Sequence, residues 1–157
     1  MKHRAQQTFA IGAVTLEEED GRLTRLWLPG TNVPPPGADT AARETPLIRQ
    51  AFRELKEYLA GKRRVFAVPL APRGTAFQTR VWETLLGVGF GERVSYAELA
   101  RRAGSPNAAR AVGGAMNKNP IAIFIPCHRV VGSGGSLTGF GAGLPMKEKL
   151  LALETRA

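Results

Sequence analysis

The sequence predicts two small domains: an amino-terminal α/β part built on a short antiparallel sheet, and a carboxy-terminal helical part containing a helix-turn-helix. Three observations lead there. Asp20-Gly21 separates two strand-like runs, which is a hairpin signal. Thr45-Pro46 opens a long helical apolar stripe. Beyond Ala71-Pro72-Arg73-Gly74 the texture changes to short helices, which places the domains at 1–72 and 73–157. The 157 residues suit one domain or two small ones, and a hydrophobic fraction of 43% is enough for a packed core.

The hairpin is expected over about Phe9 to Leu28. Phe9, Ile11, Ala13 and Thr15 alternate along its first strand, and Leu23 to Leu28 form the return. The acid run Glu17-Glu18-Glu19-Asp20 is read as the solvated tip, and His3 as a disordered surface residue. Pro29 to Thr40 is a loop, because Pro34-Pro35-Pro36-Gly37 is too stiff and too poor in donors for helix or sheet. The helix after Thr45 carries Leu47, Ile48, Ala51, Phe52, Leu55, Tyr58 and Leu59 at helical spacing and stops at Gly61. Arg63 to Leu70 is a short strand or an extended connector.

In the second part, Thr75 to Leu86 places Phe77, Val81, Trp82 and Leu85 on one helical face. Ser95-Tyr96-Ala97-Glu98 matches a capping box, and its helix runs to about Ala103 before Gly104. Ser105-Pro106 starts a further helix that continues to about Asn117. Two helices across a tight Gly-containing turn are the helix-turn-helix outline. The second of them is small-sided. Two readings fit it: close packing against neighbouring helices, or a recognition helix approaching a DNA groove with Arg110 as its one long cation. Ile121 to Ile125 is a buried-type run ending at Pro126, Gly132 to Gly143 a Gly- and Ser-rich loop, and Leu144 to Glu154 a final helix.

The formal net charge is +9. That balance favours a polyanionic partner, although charge can also serve solubility alone. Its distribution is informative. No acidic residue lies between Glu98 and Glu148, whereas Arg101, Arg102, Arg110, Lys118, Arg129 and Lys147 do, as a phosphate-facing surface requires. No apolar run approaches the roughly 20 residues of a membrane helix, and the basic start leads into no signal-type stretch, so a cytoplasmic protein is expected. A single cysteine excludes an internal disulfide. With only Cys127, His3 and His128 on offer, a Cys/His zinc site is not expected.

The densest chemistry is Ile125-Pro126-Cys127-His128-Arg129-Val130-Val131. A cysteine is a strong nucleophile as thiolate, His128 could take its proton directly or through water, and Arg129 adds positive charge. A cysteine beside an apolar run is also a common core residue. A cysteine protease fits poorly, since known Cys–His pairs come from separate parts of the chain.

Pro126-Cys127-His128-Arg129 followed by Val130-Val131 resembles the active-site signature of O6-alkylguanine-DNA alkyltransferases. Arg110-Ala111-Val112-Gly113-Gly114-Ala115-Met116 with Asn119-Pro120 resembles that family's recognition helix and following loop. Gly139 to Leu144, Lys147 and the Leu-rich helix to Glu154 follow at matching spacing, so the likeness covers about Thr75 to Glu154. It implies a ribonuclease H-like amino-terminal sheet and a winged-helix-like second domain that uses the minor groove. It further implies irreversible, once-only transfer of an alkyl group from O6-alkylguanine in double-stranded DNA to Cys127, without cofactor or metal, by a monomer.

Residue by residue, the resemblance makes His128 a base acting through water and Glu154 its orienter. Asn119 would hold the nucleophile loop, and Tyr96 would donate to guanine N3. Arg110 would fill the space of the extruded nucleotide. Ala109, Ala111, Gly113, Ser95 and Arg129 join Arg110 as DNA contacts, and Tyr96, Phe140, Gly141, Val130 and Met116 line the substrate pocket. Phe140 stands where Tyr is common, and Gly141 where some relatives have Ser. Zinc ligands found in the amino-terminal part of some relatives are missing here. Two competing readings are a DNA-lesion-binding module without transfer, which would tolerate Cys127→Ser, and a thiol hydrolase that turns over without DNA.

Overall fold

The computed structural model describes residues 1–137, 139–140 and 143–156. It forms two compact units, Met1–Pro72 and Arg73–Ala157.

In the first unit, β1 (Lys2–Phe9), β2 (Gly12–Glu19), β3 (Arg22–Trp27) and β4 (Thr40–Ala42) form one sheet in the order β3-β2-β1-β4. The sheet is mixed, since β4 runs parallel to β1 while the other pairs are antiparallel. The expected hairpin turn is present at Asp20-Gly21, where both residues take positive φ. The strand before it begins only at Gly12, and the basic start of the chain is a full strand of its own. Alternation is weak there because polar partners replace apolar ones. His3 pairs with Glu18 at 3.1 Å, and Arg4 with Glu17 at 2.9 Å while stacking over the Trp27 ring. His3 is therefore ordered, and Glu17 and Glu18 are buried partners of Arg4 and His3 rather than a solvated tip.

Helix α1 (Pro46–Leu59) covers this sheet. Thr45 caps it by accepting from the Ile48 N–H at 3.2 Å. Ile48, Ala51, Phe52, Leu55 and Tyr58 are its buried stripe, each large side chain stabilising the unit by roughly 1.5–3 kcal/mol. The segment 63–70 is an extended connector with a single bridge, Leu70 to Leu23. Glu54, buried on α1, accepts from the Ala67 N–H at 2.8 Å and fixes that connector to the helix.

The second unit contains α2 (Ala76–Leu85), β5 (Val94–Ser95), α3 (Tyr96–Arg102), α4 (Ala109–Asn117), β6 (Val130–Val131) and α5 (Leu144–Arg156). A complete capping box sits at Thr75 and Gln78 of α2. At Ser95 only half of the expected box forms, because the Glu98 carboxylate turns instead to Arg101 and Arg102. Helix α4 starts at Ala109, later than expected. Residues 105–108 form a turn closed by the Ala108 N–H onto the Ser105 carbonyl. Trp82 of α2 donates its indole N–H to the Ala115 carbonyl at 2.9 Å, locking α4 against the scaffold. No described helix is long and apolar enough to cross a membrane.

Candidate active site

Cys127 opens a 3₁₀ turn, Cys127–Arg129, that follows the apolar run from Ile121. Three devices hold that turn. Asn119, just past α4, donates from Nδ2 to the Ile125 carbonyl at 2.9 Å and accepts from the Ile121 N–H at 3.0 Å. Its side chain thus closes a tight loop around Ile123, a buried β-branched residue at φ 73°. Beyond the turn, β6 pairs in parallel with β5, Val94 to Val130 and Ser95 to Val131. This ladder ties the nucleophile segment to the start of α3, where Ser95 and Tyr96 lie. From the other side, α5 packs on the 3₁₀ turn.

Helix α5 supplies two charged groups to this interior. Lys147, Leu150, Leu151 and Glu154 form its buried face, at the spacing i, i+3, i+4, i+7. Glu154 is 3% exposed and organises four donors. It meets Nε2 of His128 at 2.7 Å, Nε and Nη2 of Arg129 at 2.9 and 3.0 Å, and the Gly91 N–H at 3.1 Å. Arg129 also donates from Nη1 to the Val88 carbonyl at 2.6 Å. Lys147 donates from Nζ to the Val130 carbonyl at 2.6 Å.

The electrostatics follow from burial. Desolvation pushes the Cys127 thiol up from its ordinary value, opposed by a hydrogen bond from Asn119 and by the charge of Lys147. Desolvation pulls His128 down, outweighing its contact with Glu154, so the imidazole is neutral at pH 7. Lys147 is lowered by the same cause, with the Cys127 charge pulling the other way. The resting site is a neutral thiol next to a neutral imidazole whose partner carboxylate is already neutralised by a guanidinium.

The structure brings Cys127, His128, Glu154 and Asn119 into one connected cluster. The Tyr96 ring lies against α4, where a Cβ on Gly113 would sit 3.9 Å from its Cε1. Arg110 and Ala111 are exposed on α4, with Ala109, Gly113 and Met116 half-buried beside them. Phe140 is half-buried, and Gly141 lies outside the described residues.

Arg129 differs from the sequence expectation. It is 6% exposed and holds Glu154 and Val88, so a phosphate contact from it does not fit this geometry. The acid-free basic span also reads differently in three dimensions. Lys147 is buried, Arg101 and Arg102 are paired with Glu98, and Arg110 and Lys118 are its exposed cations without an ion pair among the described residues. In the sequence Lys147 counts toward the basic span and not toward the site, although a lysine and a glutamate framing Leu150-Leu151 on the apolar face were a legible signal. Among the described residues no group of three or more His, Cys, Asp or Glu is placed to hold a metal.

Residues 76–156 match the family model described as the DNA-binding domain of 6-O-methylguanine DNA methyltransferase. The constitutive methylated-DNA–protein-cysteine methyltransferase of Bacillus subtilis is 41% identical over 148 residues, covering 92% of this chain and 90% of that protein. The chain belongs to the methylated-DNA–protein-cysteine methyltransferase family. A family member from Methanosarcina acetivorans is 49% identical over 116 residues, 74% of each chain. The crystal structure of Mycobacterium tuberculosis OGT in complex with DNA superposes with a TM-score of 0.90 at 41% identity, covering 98% of this chain and 93% of that one.

Proposed function

We propose that the protein repairs DNA by moving an alkyl group from O6 of guanine onto Sγ of Cys127, once per molecule. One observation carries this reading: the single cysteine leads directly into a buried histidine whose Nε2 is held by Glu154 at 2.7 Å. With Nε2–H donating to the carboxylate, the neutral ring has its lone pair on Nδ1, so Nδ1 is the basic atom. A water passes the thiol proton to Nδ1. The thiolate attacks the alkyl carbon in line, the C–S bond forms, and the C–O6 bond breaks with its electron pair going to guanine. Tyr96 donates to guanine N3 as charge develops there, and the proton lost by the thiol balances the one guanine gains. Lys147 and Asn119 work against the burial that disfavours the thiolate. The thioether has no easy return to thiol, so the protein is consumed.

The target oxygen is stacked inside the duplex, so the nucleotide must be flipped out at a cost of a few kcal/mol. Exposed Arg110 takes the vacated space. The small side chains Ala109, Ala111 and Gly113 let α4 enter a minor groove, with Ser95 near the same strand. The base is received by Tyr96, Phe140, Gly141, Val130 and Met116. In this reading the second unit, winged-helix-like, binds DNA and accepts the alkyl group. The first unit, ribonuclease H-like, supports it. The protein works in the cytoplasm as a monomer on DNA.

Mass spectrometry after mixing with duplex DNA containing O6-methylguanine tests this. One methyl group on the Cys127 peptide, and no more than one per molecule, is the expected result, with Cys127→Ser binding the DNA but taking up nothing. Lesion binding by the wild type with an unmodified Cys127 would make the chain a lesion-binding module instead.

A further inference from the structure

We infer that the outward face of α1 is a second track for the DNA sugar-phosphate backbone, separate from the contacts of α4. The inference rests on the proposed DNA repair function and extends it to the first unit.

The charged residues of α1 that face solvent along its first three turns are Arg49, Arg53 and Lys56, spaced i, i+4, i+7 along one line. At 1.5 Å per residue they span about 10 Å, close to the reach of consecutive phosphates on one strand. Lys62 is a further exposed cation just beyond the helix. One carboxylate reaches this face, Glu44, which pairs with Arg49 at 3.4 Å. Glu54 is buried and engaged by Gln50 and the Ala67 N–H. Glu57 is bound by Arg63 at 2.8 Å. The Arg49–Glu44 pair lies at the surface, its side chains 68% and 43% exposed, where such a pair holds weakly. Arg53, Lys56 and Lys62 have no ion pair among the described residues.

The basic start of the chain differs. On the sheet, Arg4, His3 and Lys2 are each matched by Glu17, Glu18 and Asp39. The basic residues at the start of the chain are paired, whereas Arg53, Lys56 and Lys62, like the scattered Arg22 and Arg43, have no ion pair among the described residues. An aligned row of exposed cations on a protein whose other unit binds DNA is complementary to phosphate and to nothing sequence-specific. Its contribution is affinity and salt dependence, not choice of base.

The test is the slope of log Kobs against log salt on an unmodified duplex of about three helical turns, for the wild type and for R53Q/K56Q/K62Q. Each phosphate contact contributes about 0.9 to the slope, so the variant should lose between about 2 and 3. Between about 50 and 200 mM salt, wild-type affinity should then fall roughly forty-fold more than the variant's. Alkyl uptake from a free O6-alkylguanine base, which has no phosphates, should be unchanged, which shows that fold and chemistry are intact. R22Q/K149Q/R156Q removes the same net charge from other exposed positions and should change the slope by less than about 1. An unchanged slope in the α1 variant, or an equal loss in the control, overturns the inference. Loss of DNA binding already in the wild type would instead refute the function on which it rests.

Discussion

Glu154→Gln exposes the logic of the site, because one carboxylate serves both the base and a buried cation. The substitution keeps size and shape but removes the charge that Arg129 meets at 2.9 and 3.0 Å, with the Arg129 side chain 7% exposed. Breaking a buried pair from one side costs about 3–5 kcal/mol, since the partner charge stays buried without compensation. Against a typical total of about 5–15 kcal/mol this is a large loss. The same change lets the amide present N–H rather than oxygen to His128 Nε2, so the tautomer with its lone pair on Nδ1 is no longer enforced. A positioned base contributes about 10²–10⁴-fold, and at least tenfold of that should be lost. Urea unfolding reads the first effect, and single-turnover alkyl transfer at a denaturant-free temperature reads the second. The double variant Arg129→Met with Glu154→Gln separates them. Removing both charges should recover most of the stability, short of the roughly 1–3 kcal/mol for the abandoned Val88 carbonyl, without restoring the rate. If the single variant unfolds at the wild-type midpoint, or the double variant recovers the rate, the account of Glu154 is wrong.

Lys147→Met removes the donor to the Val130 carbonyl and the cation that favours the Cys127 thiolate. Transfer should slow several-fold, and the pH at which Cys127 reacts with a small alkylating reagent should move upward, a shift that mere loss of packing would not produce. Ile123 sits at φ 73°, which an L side chain adopts at a cost of roughly 1–2 kcal/mol. Ile123→Gly should therefore destabilise the protein less than Ile123→Ala, by about 1 kcal/mol in denaturant unfolding, the reverse of the usual order of Gly and Ala. His128 has a folded-state value below its ordinary 6.5, so the unfolded chain binds its proton first as pH falls. Its contribution to stability is complete above that value and declines as pH drops from it toward the lowered one. The slope reaches at most about 1.4 kcal/mol per pH unit. His128→Asn should flatten the stability profile in this window; an identical profile would show that His128 titrates normally in the folded protein.

Much of the local architecture was legible in the sequence because it rests on short-range chemistry. Thr45-Pro46 announces a helix through capping that needs only neighbours, and Asp20-Gly21 a turn through its backbone freedom. The motif around Cys127 and the spacing to Glu154 are likewise linear patterns. The strand from Lys2 to Phe9 was hidden, because its polar residues are stabilised by cross-strand partners that only the sheet supplies. So was the start of α4, where Ser105-Pro106 looks like a helix opening but closes a turn first.

The sequence by itself determined which residue types are present and which can cap, turn or react: one thiol, a histidine beside it, and a chain with an excess of cations. Tertiary structure decided which of those charges face solvent and which face each other. Arg129 and Lys147 count toward a basic surface in the sequence, yet packing of α5 buries both, one against Glu154 and one on the Val130 carbonyl. Charge is a property of the residue, but its use depends on the dielectric and the partners around it, and those exist only once distant segments have packed together.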